Sequence, residues 1–281
     1  MSVRLLATIL ACFLVFNLAA PSADARGHRE RGGSGGGNRP PPEMIGAFSP
    51  IRANLSDMEA KGFIETGLRA IYPTDAKCLP IESHFGVTTR HDASTRNFNF
   101  FKGRHGGADI SAPGGTPLLA IADGTVIRKH HGEFIGGIAI WLQHAPEDTG
   151  LSVYLYTEYK HLEEMPPLEV GQRVKMGDVV GEVGNTGTTG GRAFGLDGYY
   201  HLHWTMFYSP VSEYVSKRML IPKEGRWMDP LAVFLNDSLD SEKIRELSEE
   251  QQTVRIAYRR TDGKLVPSDT MVIWPIACAL R

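Results

Sequence analysis

Five side chains that can bind a metal ion or transfer protons occur in the middle of this 281-residue chain. They are His105, Asp109, His161, His201 and His203. Two neutral imidazoles and one carboxylate suit a catalytic zinc ion, because they leave a fourth coordination position open to water. A zinc ion held in this way lowers the pKa of water to about 7 and polarises a carbonyl group. The set therefore predicts metal-dependent hydrolysis, with two imidazoles left for proton transfer and for stabilising an oxyanion.

The spacing of these residues limits how they can meet. His201 and His203 would face one side of a β-strand, about 6.6 Å apart, so that one can hold a metal while the other does proton chemistry. A fully extended chain would separate His105 from Asp109 by about 13 Å, which is too far for a single metal ion. We therefore expect the two glycines that follow His105 to let the chain turn.

The motifs around these residues resemble those of the lysostaphin-type zinc endopeptidases, which cleave peptidoglycan cross-bridges. The resemblance spans roughly residues 81–208 and is carried by Ser83–Gly86, His105–Asp109, Ala112–Pro117, Ala122–Val126, Tyr159–Leu162, Val170–Val174, Gly184–Gly187 and His201–His203. It implies a β-sandwich related to barrel-sandwich hybrids, of the duplicated hybrid motif type. It also implies that His105, Asp109 and His203 bind Zn²⁺ and that His161 and His201 are the catalytic pair.

The predicted secondary structure agrees with a mainly β fold. Short apolar runs separated by glycine predict antiparallel strands, namely Leu118–Ile121, Thr125–Ile127, Ile138–Leu142 and Val179–Val183. Apolar residues at helical spacing predict a helix within 54–70, and a polar segment predicts another over 241–252. A terminal hairpin is predicted from the strands Thr253–Tyr258 and Met271–Trp274, with a turn at Asp262–Gly263.

The domain order begins with a predicted secretory signal at 1–25, which has an early arginine, an apolar run over 5–20 and a small-residue cleavage site ending at Ala25. A retained membrane anchor is the alternative, but the apolar run is shorter than the roughly 20 residues that a spanning helix needs. We expect a linker at 26–43, a helical segment at 44–76, the peptidase domain at 77–234 and a C-terminal helix and hairpin at 235–281. The protein is therefore expected in the periplasm or secreted, without membrane insertion once the signal is removed.

The amino-acid composition limits the kinds of partner that the protein is expected to bind. The chain is 42% hydrophobic and 22% charged, which is ordinary for a globular protein, and its net charge of -2 argues against nucleic acid as a partner. We expect a monomer that binds the peptide stems of peptidoglycan. Cys78 and Cys278 are the cysteines left after the leader, and they can form a disulfide or remain as two buried thiols.

Two other functions compete with hydrolysis. A non-catalytic activator of cell-wall amidases could use the same fold, but all five key residues are present and no sustained heptad repeat occurs. A biotin or lipoate carrier would use Lys175 in the Gly171–Asp178 segment, but the histidines and the leader have no place in it. The long segments at 144–160 and 188–200 depart most from the family pattern. They leave open which cross-link is cut.

Overall fold

The computed structural model describes residues 40–132, 136–188, 199–235 and 238–281. All of them belong to one compact unit, Gly32–Arg281. The predicted signal at 1–25 and most of the predicted linker lie outside these residues. Within the described ranges, no helix has the length and apolar character needed to cross a membrane.

Strands dominate the part of the chain that the structure describes. The strands are β1 Arg69–Ile71, β2 Ala76–Lys77, β3 Ile81–Ser83, β4 Ala108–Ser111, β5 Pro117–Leu119, β6 Gly124–Gly132, β7 Gly137–His144, β8 Tyr154–Lys160, β9 Arg173–Val174, β10 Val179–Glu182, β11 His201–Ser209, β12 Tyr214–Ser216, β13 Leu220–Pro222, β14 Arg226–Met228, β15 Thr253–Arg255, β16 Tyr258–Arg259, β17 Leu265–Val266 and β18 Ala279–Leu280. The α-helices are α1 Pro42–Phe48, α2 Leu55–Ala60, α3 Pro146–Thr149 and α4 Ser241–Arg245, with 3-10 helices at Phe101–Gly103 and Pro230–Phe234.

The largest sheet has eight strands and positions the candidate site. Seven of them follow the order β3-β4-β11-β8-β7-β6-β9, and β14 pairs with β11. All of these pairings are antiparallel. The mainly β, antiparallel fold class predicted from the sequence is therefore confirmed.

The two faces of this sheet have different roles. On β11, Trp204 lies on the core face, where its ring packs edge-on against Trp274 at 5.7 Å between centroids. Strand alternation sends His203 and Phe207 to the opposite face. There Phe48 of α1 packs on Phe207, with ring centroids 4.9 Å apart. The N-terminal helices therefore cover the end of this face that lies about 13 Å along the strand from His203.

Helix α2 is shorter than the segment 54–70 in which a helix is predicted. Its first turn is capped by Asn54, whose side-chain oxygen accepts hydrogen bonds from the backbone N–H groups of Ser56 and Asp57. It ends at Ala60, and Gly62 then takes a positive φ of 83° that stops the helix. The helix predicted within 54–70 is therefore present, but it occupies only Leu55–Ala60, and the chain beyond continues to β1.

The C-terminal hairpin is only partly as predicted. The turn at 262–263 joins β16 to β17, whereas Met271–Trp274 is not a strand and α4 ends at Arg245. The backbone N–H of Ile273 donates to the carbonyl of Ile121, and that of Trp274 donates to the carbonyl of Ala257. The apolar run of the predicted second strand therefore packs into the core instead of pairing along a hairpin.

A disulfide connects the C-terminal segment to the start of the sheet region. Cys78 and Cys278 are bonded, with their Cα atoms 4.3 Å apart. Next to them β18 pairs with β2. The alternative left open by the sequence is thereby settled in favour of the disulfide, and the C-terminal segment belongs to the same core as the sheet.

Candidate metal centre

Three of the predicted residues bring their donor atoms together. His105 Nε2 and His203 Nδ1 each lie 2.9 Å from Asp109 Oδ1, and the two nitrogens are 3.1 Å apart. His105 and Asp109 are buried, and His203 is nearly so. The convergence of two imidazoles and a carboxylate is the arrangement that the sequence predicts for a metal ion.

The register of two strands creates this convergence. Asp109 on β4 pairs with His203 on β11, so both side chains lie on one face of the sheet. His105 lies just before β4, and the two glycines after it do not adopt a positive φ. A Cβ on Gly107 would instead lie 2.5 Å from the Trp204 carbonyl oxygen. The chain bends at Gly106 and Gly107, as the sequence predicts. The close approach to β11 requires the missing side chain of Gly107 and not a positive φ.

The hydrogen bonds of these groups favour a bound cation. His105 Nδ1 donates to the carbonyl of His84 at 2.9 Å, which leaves a lone pair on Nε2 in the neutral ring. That lone pair faces Asp109 Oδ1, which is also an acceptor. Two acceptors at this distance repel each other unless a positive charge lies with them. The donor set suits zinc, and a backbone carbonyl orients His105 as is usual for ligating histidines.

Asp109 is held as a carboxylate by its surroundings. Burial alone would raise its pKa, but the neighbouring His105 and His201 and the hydrogen bonds to it hold the pKa well below its ordinary value. Arg96 donates from Nη2 to Asp109 Oδ2 at 3.3 Å and to Ser83 Oγ at 2.6 Å. Nothing in the sequence singles out Arg96, because it precedes Asp109 by 13 residues in a loop without a recognisable motif.

His161 and His201 lie beside the three donor residues, and their Nδ1 atoms make the same kind of hydrogen bond. His161 Nδ1 donates to the Thr186 carbonyl at 2.7 Å, and His201 Nδ1 donates to the Tyr199 carbonyl at 3.1 Å. Their ring centroids are 4.8 Å apart. In each neutral ring, Nε2 is then the proton acceptor. The Gly184–Gly187 motif thus has a role, since it supplies the carbonyl that orients His161.

Burial keeps these imidazoles uncharged. It lowers the pKa of His161 well below its ordinary value, and it also lowers the pKa of His201. The pKa of His203 falls to about 3 for the same reason. At neutral pH all three rings are therefore available to bind a metal ion or accept a proton.

Tyr199 and His144 differ in their relation to the site. Tyr199 stacks on His201 with ring centroids 4.4 Å apart, and its hydroxyl donates to Glu82 at 2.6 Å. His144 is buried and its Nδ1 donates to the Asp123 carbonyl at 2.6 Å, away from the five predicted residues. Tyr199 therefore supports the site, whereas His144 is structural.

Comparison with known proteins identifies the domain. Residues 103–215 match peptidase family M23. The chain is 33% identical over 100 residues to the peptidoglycan DD-endopeptidase ShyC of Vibrio cholerae, covering 36% of this chain and 19% of that protein. It is 30% identical over 119 residues to an uncharacterized metalloprotease of Buchnera aphidicola, covering 42% of this chain and 25% of that protein. The match thus spans a quarter or less of these relatives' length.

Two solved structures are also similar. One is from the structural characterization of LytU, at 27% identity and a TM-score of 0.34, covering 51% of this chain and 81% of that chain. The other is the catalytic domain of lysostaphin from Staphylococcus simulans, at 27% identity and a TM-score of 0.31, covering 40% of this chain and 72% of that chain. All five predicted residues fall within residues 103–215, the range that matches peptidase family M23.

Proposed function

We propose that this protein is a zinc-dependent endopeptidase that hydrolyses peptide cross-links of peptidoglycan. The observation that carries the proposal is the convergence of His105, Asp109 and His203 beside two further imidazoles. The match of residues 103–215 to peptidase family M23 supports hydrolysis of a peptide bond. The name of the Vibrio cholerae relative, a peptidoglycan DD-endopeptidase, supports the substrate.

Different residues of the chain have different roles in the proposed reaction. His105, Asp109 and His203 would hold the zinc ion, which when bound polarises a peptide carbonyl and lowers the pKa of water. His161 Nε2, unprotonated and oriented by the Thr186 carbonyl, accepts a proton from the attacking water. A ring that has taken a proton carries N–H on Nε2, and it can then donate to the oxyanion or to the leaving amine. His201 is placed to share this role.

We also propose that the protein acts outside the cytoplasm. The predicted signal at 1–25 supports export, and the Cys78–Cys278 disulfide is of the kind that persists in oxidising compartments. The periplasm is the compartment that contains the proposed substrate. Peptidoglycan stems would be the principal partner, and the proposed enzyme works as a monomer.

The proposal is tested by incubating the purified protein with peptidoglycan sacculi, with and without a chelator, and identifying the products by mass spectrometry. We expect cross-linked peptides to be cut by the zinc-loaded protein and left intact after chelation. Readdition of zinc is expected to restore cleavage. Sacculi that stay unchanged with metal-loaded protein would contradict the proposal. If that same protein stimulated an amidase, the non-catalytic alternative would replace it.

Two variants separate metal binding from proton transfer. Asp109→Ala removes a charged ligand, so both bound zinc and cleavage are expected to be lost. His161→Ala is expected to retain zinc and lose at least about a hundredfold in turnover, as removal of a general base does. Metal content by atomic emission and initial cleavage rates distinguish the two. His131→Ala, an exposed histidine, is the control; normal cleavage by His161→Ala would show that its role is assigned wrongly.

A further inference from the structure

A row of paired side chains extends from the metal site across the sheet. His203 pairs with Asp109 on β4 and, on its other side, with Lys160 on β8. Lys160 pairs with Ala139 on β7, and Ala139 with His130 on β6. Paired residues of an antiparallel sheet share a face, and adjacent strands lie about 4.8 Å apart. The row therefore continues the floor of the site by three strands beyond His203.

Lys160 faces the site and not the core. The preceding Tyr159 is fully buried, and its hydroxyl accepts a hydrogen bond from the backbone N–H of Ile121 within the core. Strand alternation sends the next side chain to the opposite face, which is that of His203. Residues directly opposite each other on one face have their Cβ atoms about 4.5 to 5.5 Å apart, so the Lys160 side chain starts next to the His203 ring.

The ammonium group of Lys160 has no anionic partner in the described part of the chain. Glu158 lies two residues earlier on the same face, but no ion pair joins it to Lys160, and no side-chain hydrogen bond of Lys160 is present there either. The side chain is half-buried. Its Nζ is not one of the buried polar atoms without a partner, so it keeps contact with solvent and is open to a ligand. An anion bound next to the metal site would form an ion pair with it.

We propose that Lys160 binds a carboxylate of the substrate on the residue next to the scissile bond. The inference rests on the proposed function, because it places a peptide across His203 and along the row. An ammonium group forms strong charge-assisted hydrogen bonds with a carboxylate and weaker ones with a carboxamide. The protein therefore prefers cross-linked peptides whose neighbouring carboxyl group is free over those in which it is amidated. Lys160 is in this way a specificity-determining residue.

The test uses two synthetic cross-linked peptides that differ only in a carboxylate or a carboxamide next to the scissile amide. The zinc-loaded protein is expected to cleave the carboxylate peptide with a kcat/KM about ten- to a hundredfold higher, mainly through KM. In Lys160→Met this ratio is expected to fall to about one, and in Lys160→Glu to invert. Lys160→Arg retains the charge and is expected to keep the preference.

Lys129→Met is the matched control. This lysine lies on β6, two strands from β8 in the same sheet. It pairs with the core residue Ile140 and donates from Nζ to the Pro166 carbonyl at 3.2 Å. Its loss is expected to leave the carboxylate preference at the level of the unmodified protein. Zinc content and thermal unfolding of every variant check that the site has folded.

Binding measurements distinguish a failure of this inference from a failure of the proposed function. If neither peptide is cleaved, the proposed function fails, and calorimetric titration of the zinc-loaded protein with the two peptides still tests Lys160. The inference is supported if the protein binds the carboxylate peptide more tightly than the carboxamide peptide and if Lys160→Met abolishes this difference. A folded protein without any carboxylate preference, or with a preference that survives in Lys160→Met, overturns it.

Discussion

At the scale of single residues, the carboxylate of Asp109 connects the metal donors to the surrounding protein. Its Oδ1 faces His105 and His203, while its Oδ2 accepts the hydrogen bond from Arg96. The guanidinium is in turn fixed by Ser83 Oγ and by the Thr89 carbonyl, to which its Nε donates at 3.1 Å. Outer hydrogen bonds of this kind hold a ligating carboxylate in one orientation.

We therefore expect Arg96→Ala to weaken zinc binding by about ten- to a hundredfold, the usual effect of removing a group that orients a metal ligand. Competition with a chromophoric chelator measures the change without relying on turnover. Arg90→Ala is the control, because the Arg90 guanidinium donates to Ser94 Oγ and to the Thr95 carbonyl of the same loop and not to Asp109. Equal zinc affinity in Arg96→Ala and the unmodified protein would contradict this role.

A second residue-scale prediction concerns pH. Asp229 is fully buried, and its carboxylate accepts hydrogen bonds from Thr66 Oγ1 at 2.5 Å and from the backbone N–H of Leu231 at 2.9 Å. Burial outweighs these bonds and raises its pKa to about 6. The folded state thus binds this proton more tightly than the unfolded chain, where the pKa is about 3.9. Its stabilisation is complete below about pH 4 and is lost as the pH rises through about 6.

Between pH 4 and pH 7.5 the protein is expected to lose about 2 to 3 kcal/mol of unfolding free energy that Asp229→Asn does not lose. Urea unfolding of both proteins at the two pH values measures the difference, and titrations that both proteins share cancel. The asparagine oxygen can still accept from Leu231. Parallel pH dependence of the two proteins would show that the Asp229 carboxyl is not the group responsible.

At the scale of elements, the site depends on how closely the segment before β4 approaches β11. A methyl group at Gly107 would lie 2.5 Å from the Trp204 carbonyl and 3.1 Å from His203 Nε2. Gly107→Ala is therefore expected to lower the unfolding free energy by about 1 to 3 kcal/mol, as overpacking does, and to weaken zinc binding. Gly181→Ala is the control. Its added methyl group would lie 3.1 Å from the end of the Leu162 side chain, which is flexible and can move aside. Equal urea midpoints for the two variants would contradict this account.

The elements also show what the sequence could and could not predict. Strand alternation explains why His201 and His203 share a face. Short apolar runs locate the start of β6 and most of β7, because those parts follow local patterns. The run at 271–274 has the same local pattern, but contacts with Ile121 and Ala257 decide its conformation. Arg96 reaches Asp109 only through the folded loop. Contacts between segments that are distant in the sequence are therefore the features of the structure that local sequence patterns could not predict.

At the scale of the whole molecule, the Cys78–Cys278 disulfide joins positions 200 residues apart. A cross-link over so long a segment restricts the unfolded chain, and its removal typically costs about 2 to 5 kcal/mol. The double variant Cys78→Ser, Cys278→Ser is expected to unfold at a correspondingly lower urea concentration. The unmodified protein treated with reductant is expected to shift in the same way. An unchanged midpoint in both would contradict a stabilising role.

The pairing of β4 with β11 also fixes the order in which a newly made chain can acquire its metal. Asp109 and His203 are 94 residues apart and meet only when these two strands are paired. Metal ligands that converge only in the folded state couple metal uptake to folding. On the proposed export route, a chain that crosses the membrane unfolded would carry no assembled metal site. The ion would then be taken up at the destination, where its local supply becomes a condition for the proposed activity.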